Sequence, residues 1–136
     1  MAQRLTLEIV TPEKVMLKTT ADYVTLPGMI GELGILAGHI PLLTSLQSGV
    51  LRYRSSGTES RFAIHHGYAE VLDDKITVLA TKAEAGEDID AEAAKEARRK
   101  AEQELADAIK GSADAEEIER VLTSITTENT RLETVE

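Results

Sequence analysis

Five glycines are crowded among branched apolar residues in the stretch from Leu26 to Leu51. Each glycine in a helix interior costs about 1 kcal/mol relative to alanine, so this stretch does not favour a regular helix. Glycine also reaches positive φ without strain, which tight turns and bulges require. The stretch therefore predicts short strands that fold back on one another through tight loops. Its glycines are Gly28, Gly31, Gly34, Gly38 and Gly49.

Two polar side chains within this stretch are candidates for function. Glu32 stands in an uncharged surround, and His39 lies two residues before Pro41. The simplest interpretation is that both are ordinary polar groups of loops. A small enzyme that uses His39 and Glu32 as acid and base is another interpretation, because an imidazole titrates near neutrality.

Alternating apolar residues predict strands on both sides of the glycine-rich stretch. The alternation from Leu5 to Ile9 stops at Pro12, which is typical of a half-buried strand ended by a turn. Asp73 and Asp74 form a two-residue hairpin signal. Short strands at this spacing favour an antiparallel sandwich, with about nine or ten strands before residue 84. Other predicted strands are 15–18, 23–26, 50–54, 61–65, 67–72 and 75–80.

The composition changes at residues 84–88, where β-branched residues give way to alanine and charge. This change predicts a linker, followed by a helix that Asp88 or Asp90 caps and Gly111 ends. Asp114 and Glu117 have the spacing of a capping box and predict a second helix. Two helices joined by so short a turn fold antiparallel. Their apolar stripes are Ala94, Ala97, Ala101, Leu105 and Ala108, then Ile118, Val121, Leu122, Ile125 and Leu132.

The predicted fold is therefore a segregated α+β architecture, with an N-terminal antiparallel β-sandwich and a C-terminal antiparallel helical hairpin. We expect residues 1–84 to form the sandwich domain and residues 85–136 to form a helical arm. An alanine stripe buries little apolar surface, since a buried methylene contributes only about 0.8 kcal/mol. The stripe favours a mobile arm, and a static hairpin is the alternative.

The formal net charge is -9, and most of it lies in the arm. Through Ala85 there are 8 Lys and Arg against 9 Asp and Glu, and after it 7 against 15. An acidic chain without a basic patch is not expected to bind nucleic acid, whose phosphates require clustered Lys and Arg. The chain has no cysteine, which excludes disulfides and thiolate metal sites. Because His65 and His66 are adjacent in a predicted strand, they point to opposite faces, and no metal site is predicted.

The first residues, Met1 to Arg4, lead directly into an alternating strand pattern without a continuous apolar segment. We therefore expect no signal peptide and no transmembrane helix. Any association with a membrane is expected to occur through a partner protein, not through direct insertion.

Two motifs of the glycine-rich stretch, GELGI from Gly31 to Ile35 and GHIPLLT from Gly38 to Thr44, resemble a known signature. They are similar to the epsilon subunit of bacterial F-type ATP synthase, the homologue of the mitochondrial delta subunit. The resemblance covers nearly the whole chain. It continues through residues 67–71, 76–80 and 97–105.

The resemblance implies a non-catalytic rotor subunit that couples the gamma subunit to the membrane c ring during ion-driven ATP synthesis. It implies that the loops bearing Glu32 and His39 meet the polar loops of the c ring, with Met29 and Leu33 adding apolar contact area. A neighbouring face of the sandwich would pack on gamma. The implied location is peripheral, on the cytoplasmic face of the bacterial plasma (inner) membrane.

The resemblance also implies that the arm inhibits ATP hydrolysis. In the inhibited state Arg98, Arg99 and Lys100 would face acidic loops of the alpha and beta catalytic subunits. The simpler interpretation of these residues is a solvated helix face with ion pairs four residues apart, such as Glu96 with Lys100.

Some family members bind ATP on the folded arm through the motif Ile/Leu-Asp-x-x-Arg-Ala. The matching residues here are Ile89, Asp90 and Ala94, and Ala93 occupies the place of the arginine. Loss of a charged hydrogen-bond donor costs roughly 1.5 to 3 kcal/mol. ATP binding is therefore predicted to be weak or absent, and no other cofactor is expected.

An alternative from a different class is a free-standing small-molecule-binding β-sandwich. Such a protein would stay monomeric in a cell lysate, whereas a rotor subunit would copurify with a multisubunit ATPase.

Overall fold

The computed structural model describes residues 4–136, so the part of the N-terminal prediction that concerns Met1 to Gln3 lies outside the described residues. Two helices follow the strands, and a 3-10 turn at Gly86–Asp88 precedes them. The strands are β1 (Leu5–Val10), β2 (Val15–Ala21), β3 (Tyr23–Gly28), β4 (Gly31–Leu36), β5 (Leu42–Leu46), β6 (Gly49–Ser55), β7 (Thr58–Leu72) and β8 (Lys75–Ala85). The helices are α1 (Ala91–Lys110) and α2 (Ala115–Val135).

The strands form a sandwich in the order β2-β1-β8-β7-β5-β3-β4, and β6 pairs with both β3 and β7. The segregated architecture of a sandwich followed by two helices is confirmed. Within residues 4–136 the pairing is antiparallel except between β1 and β8, which run parallel. The sequence did not predict this parallel pair, because the contact joins segments about 70 residues apart and leaves no local signal.

The prediction of nine or ten strands was wrong, since residues 4–136 contain eight. One reason is that the predicted strands 61–65 and 67–72 are parts of the single strand β7. His66 and Gly67 have φ values of 60° and 158°, which bend this strand without ending it. A Cβ at Gly67 would lie 2.1 Å from the carbonyl oxygen of Leu79, so the bend leaves no room for a side chain. The glycine marks a kink within a strand instead of a loop between two strands.

The hairpin turn between β7 and β8 is confirmed. Asp73 and Asp74 both have positive φ, 49° and 60°, as a type I′ turn requires of its two central residues. Strand β8 then continues to Ala85, beyond the predicted end at Ala80. The predicted linker therefore begins with strand residues, and only the 3-10 turn and two further residues separate β8 from α1.

The apolar core lies between the layers of the sandwich and consists of strand residues alone. Its large fully buried side chains alternate along the strands, as the sequence pattern indicated. They are Leu5, Leu7, Ile9, Val24, Leu26, Ile35, Leu46, Leu51, Ile64, Val71, Ile76 and Val78.

Both predicted helix caps are confirmed. Asp90 accepts a hydrogen bond from the Ala93 amide at 3.1 Å, and Asp114 accepts one from the Glu117 amide at 2.9 Å. The Glu117 side chain does not complete a capping box; its carboxylate lies 3.6 Å from the Arg120 guanidinium. Each aspartate thus satisfies one of the first-turn amides that its helix leaves unpaired.

The two helices form an antiparallel hairpin, as predicted. Arg98 donates a hydrogen bond to Asn129 at 3.2 Å, and Arg120 donates one to Glu104 at 2.6 Å. Residues nearer the start of α1 therefore contact residues nearer the end of α2. Neither helix is both long and apolar enough to span a membrane.

The predicted apolar stripes need two corrections. Ala97 and Leu122 are exposed, whereas Glu128, Thr130 and Thr134 are buried. The cause is that the last turns of α2 pack against β6 and β7 in addition to α1. A second packing surface with polar side chains does not follow an apolar helical period, so the sequence pattern did not reveal it.

Candidate functional site

The tip of the β3–β4 hairpin presents one exposed surface. Met29 and Ile30 form the turn there, and their side chains are 56% and 102% exposed. Glu32 follows on β4, where its carboxylate lies 3.3 Å from the Arg52 guanidinium and remains largely exposed. Leu33, predicted as a contact residue, packs partly against the apolar core. Of the predicted contact residues, Met29 and Glu32 are therefore the accessible ones at this tip.

The loop between β4 and β5, residues 37–41, presents a second surface and carries His39. The His39 amide donates to the Leu36 carbonyl oxygen at 3.1 Å, and His39 Nδ1 lies 2.7 Å from the Ile40 carbonyl oxygen. We assign Nδ1 as the donor, because a carbonyl oxygen only accepts. Ile40 is 73% exposed, so the loop offers an apolar side chain beside the imidazole.

The structure does not bring Glu32 and His39 together. Glu32 is the second residue of β4, and His39 lies three residues beyond the other end of that strand. At about 3.3 Å per residue, the strand alone separates Glu32 from Leu36 by roughly 13 Å. The acid–base pair that the enzyme interpretation required is therefore not formed, since such groups act within hydrogen-bond reach of a common substrate.

A third surface is apolar and was missed by the sequence analysis. It covers the outward face of β5, β7 and β8, where Tyr68 pairs with Leu79 and Leu43 pairs with Glu70 across the ladders. Four exposed positions of these strands carry large apolar side chains where polar ones are usual, and polar residues such as Ser45, Glu70 and Lys75 are exposed beside them. These apolar residues at outward positions were the signal in the sequence that could have revealed the surface. The members are Leu43, Tyr68, Leu72 and Leu79, between 45% and 73% exposed.

The basic residues of the arm are largely engaged within the hairpin. Arg98 bonds to Asn129, and Arg99 pairs with Glu96 at 2.7 Å. Their hydrogen bond raises the pKa of Arg99 and lowers the pKa of Glu96. The sequence suggested an ion pair of Glu96 with Lys100, but in the structure Glu96 pairs with Arg99 instead. Lys100 is exposed.

The residues of the ATP motif line a small cavity of about 270 Å³ between the start of α1 and the end of α2. Ile89, Asp90 and Ala94 are brought together there, and Ala93 also lines the cavity. The remaining charged lining residues are Glu84, Asp88, Glu128 and Arg131. Four carboxylates against one guanidinium give a negative lining, which disfavours a polyphosphate by like-charge repulsion.

A polar cluster joins the arm to the sandwich, and its residues follow no local pattern in the sequence. Glu84 Oε1 lies 2.8 Å from Arg131 Nε and 3.0 Å from His65 Nε2. Arg131 also contacts the Glu128 carboxylate within α2. We call these four residues the latch, because His65 and Glu84 belong to β7 and β8 whereas Glu128 and Arg131 belong to α2.

Burial and hydrogen bonding together decide the protonation of the latch. Removal of His65 from water lowers its pKa, and this effect outweighs the hydrogen bond that His65 donates to Glu84, which acts in the opposite sense. Burial alone would raise the pKa of Glu84, but the hydrogen bonds of Arg131 and His65 lower it overall. The latch therefore favours a neutral imidazole beside an ionised carboxylate.

Among residues 4–136, no three His, Asp or Glu side chains are arranged to hold a metal ion. The described sites therefore offer surfaces for contact with other molecules and one small acidic cavity.

Comparison with known proteins agrees with this description. Residues 4–86 match the family described as ATP synthase, Delta/Epsilon chain, beta-sandwich domain. A protein named ATP synthase epsilon chain from Nitratidesulfovibrio vulgaris (strain DP4) is 48% identical over 106 residues, covering 78% of this chain and 79% of that protein. One from Syntrophobacter fumaroxidans (strain DSM 10017 / MPOB) is 50% identical over 107 residues, covering 79% and 80%.

A similar fold occurs in the cryo-EM structure of the Euglena gracilis mitochondrial ATP synthase, OSCP/F1/c-ring in rotational state 1. One of its chains aligns with a TM-score of 0.80 at 22% identity, covering 93% of this chain and 78% of that chain. At this identity the likeness concerns the fold.

The described residues thus form a β-sandwich with three exposed surfaces and a helical hairpin that polar contacts join to it. The family model and the named relatives each match more than half of the chain, and this shows its family. The chain belongs to the ATP synthase delta/epsilon chain family.

The first prediction concerns the pH dependence of folding through His65. In the unfolded chain, His65 takes up a proton near its ordinary pKa of about 6.5. In the folded chain the pKa of His65 is lowered, so His65 takes up a proton only at lower pH. The unfolded state then binds more protons below that pH, so the free energy of unfolding falls as the pH drops below about 6.5. The lowered pKa of Glu84 acts in the same direction at more acidic pH. Replacing His65→Gln keeps a donor for Glu84 and should make this decline shallower.

Urea unfolding of both proteins at a series of pH values between about 8 and 5 measures the effect. His66→Asn serves as the control, because His66 is the exposed neighbour and asparagine tolerates its positive φ. Equal pH slopes for wild type and His65→Gln would show that His65 does not titrate as described.

The second prediction concerns ATP. Because the cavity is acidic and lacks the motif arginine, ATP should bind weakly or not at all. Ala93→Arg restores the donor and should raise the affinity by about ten- to a hundredfold. Ala106→Arg adds the same charge to an exposed position of α1 outside the cavity lining and should have no such effect. Calorimetric titration decides; micromolar affinity of the wild type would contradict the prediction.

Proposed function

We propose that this chain is a non-catalytic rotor subunit that couples the gamma subunit to the c ring during ion-driven ATP synthesis, as an epsilon chain of F-type ATP synthase. Support comes from close relatives named ATP synthase epsilon chain, at 48% and 50% identity over most of their length. The observation that carries the proposal is the exposed apolar face of β5, β7 and β8, formed by Leu43, Tyr68, Leu72 and Leu79. A face of this kind favours a permanent protein partner.

The three surfaces suggest a division between partners. The apolar face of Leu43, Tyr68, Leu72 and Leu79 fits gamma, because permanent protein interfaces are more hydrophobic than transient ones. The hairpin tip with Met29 and Glu32 and the loop with His39 fit the polar loops of the c ring. A peripheral location follows, on the cytoplasmic face of the bacterial plasma membrane, held by these partners.

We further propose that residues 85–136 act as an arm that inhibits ATP hydrolysis. The core consists only of sandwich residues, so the arm is not needed to complete it. The arm is held by the latch, by the hydrogen bond that Arg61 donates to the Glu136 carbonyl oxygen, and by buried side chains of α2 such as Thr130, Leu132 and Thr134. In the extended state Arg98, Arg99 and Lys100 would exchange partners such as Glu96 for acidic loops of the alpha and beta subunits.

The third prediction tests the polar contact surfaces. Replacing Glu32 and His39 together by alanine should lower the affinity for a gamma–c-ring complex by at least about tenfold. The melting temperature should change little, because the exposed Arg52–Glu32 pair contributes only about 0 to 1 kcal/mol. Glu59→Ala is the matched control, since Glu59 forms a comparable exposed pair with Arg61 at 3.3 Å.

Binding is measured with the full-length chain added to gamma–c-ring complex that lacks it. A lowered melting temperature with unchanged affinity would make Glu32 and His39 structural residues. A wild-type chain that binds neither gamma nor the c ring would favour the free-standing ligand-binding sandwich.

The fourth prediction tests the arm. A stop codon after Ala85 removes both helices and leaves every core residue of the sandwich in place. The shortened chain should fold, bind gamma and support coupled ATP synthesis, while the resting ATPase rate of the complex should rise.

Hydrolysis and ion pumping are compared on membranes carrying the full or the shortened chain. Unchanged hydrolysis would show that the arm is not a brake. Lost pumping would show instead that the arm is required for coupling.

A further inference from the structure

Asp74, in the turn between β7 and β8, contacts two distant parts of the chain. Its Oδ1 accepts a hydrogen bond from the Gly38 amide at 2.6 Å, and its carbonyl oxygen accepts one from the Thr6 amide at 2.9 Å. The first contact spans 36 positions and reaches the loop that carries His39. A single residue thus ties together the start of β1, the β7–β8 turn and the β4–β5 loop.

The β4–β5 loop has few other restraints. The hydrogen bonds of His39 are local, to Leu36 and Ile40. Gly38 has φ of 87°, a conformation that a glycine adopts freely and leaves freely. Among the described hydrogen bonds, the one from Gly38 to Asp74 is the one that fixes this loop to a distant element. A charged acceptor makes that bond stronger than a neutral one.

The neighbouring residue shows that the turn itself does not require this contact. Asp73 and Asp74 both adopt positive φ, which aspartate, asparagine and glycine tolerate. Only Asp74 uses its carboxylate to reach another loop within the described residues. Both aspartates fit the positive φ of the turn. The carboxylate at position 74 has an additional role, because it accepts the hydrogen bond from the β4–β5 loop.

We propose that Asp74 is a positioning residue. It holds the β4–β5 loop in the conformation in which His39 and Ile40 meet the c ring. The inference rests on the proposed rotor function and deepens it. A loop ordered before binding loses less conformational entropy on association, so its affinity for the partner is higher.

The fifth prediction compares Asp74→Gly with Asp73→Gly in the full-length chain. Both variants keep the positive φ of the turn and remove one negative charge, but only the first removes the acceptor for Gly38. For Asp74→Gly, amide exchange at Gly38 should accelerate about tenfold, and affinity for the gamma–c-ring complex should fall about fivefold. Asp73→Gly should change either quantity less than twofold. Asp74→Asn retains a neutral acceptor and should recover most of the affinity.

A double-mutant cycle with His39→Ala shows whether Asp74 acts through the loop. If it does, His39→Ala weakens binding less in the Asp74→Gly background than in the wild type. Fully additive losses, or faster exchange at Gly38 with unchanged affinity, would overturn the inference while leaving the rotor function in place. A wild-type chain without affinity for gamma and the c ring would instead overturn the rotor function, and this inference with it.

Discussion

Strand β7 is the element on which the sandwich depends, because its 15 residues form extended ladders with three strands, β5, β6 and β8. Its first half pairs with β6, and after the bend at His66 and Gly67 its second half pairs with β5. The backbone of β8 comes so close to Gly67 that a Cβ would clash with Leu79. One bend in one strand therefore fixes where the apolar face of β5, β7 and β8 lies relative to both layers.

The sandwich and the arm are held by different forces. The sandwich is closed by branched apolar side chains that water does not reach, and burial of each contributes about 1.5 to 3 kcal/mol. The arm meets the sandwich through buried threonines, the ion pair of Arg131 with Glu84 and the hydrogen bond that Arg61 donates to the Glu136 carbonyl oxygen. Charged groups lose hydration when they form a partly buried ion pair, and this cost offsets much of their attraction. They regain that hydration when they separate. The same chain thus combines an apolar core with an appendage that is attached to it mainly through polar groups.

Local signals in the sequence were sufficient where the structure depends on neighbouring residues. The caps Asp90 and Asp114 and the turn at Asp73 and Asp74 follow from side chains within three positions of the groups they serve. The parallel pairing of β1 with β8 and the burial of Glu128 depend on segments far apart in the chain. For the candidate site, the resemblance pointed to Glu32 and His39. Only the structure showed that they lie at opposite ends of β4 and that Asp74 holds one of their loops.

The direction of β8 connects these observations. The strand begins beside the Asp74 turn at Lys75 and ends at Ala85, where the arm starts. At about 3.3 Å per residue, this places the origin of the arm roughly 30 Å from the turn that holds the His39 loop. The end of α2 lies instead near the hairpin tip, since Glu133 and Glu32 line the same small cavity. Release of the arm would thus alter the surroundings of Glu32 and leave the His39 loop undisturbed. A partner bound at that loop would keep its contacts whichever state the arm adopts.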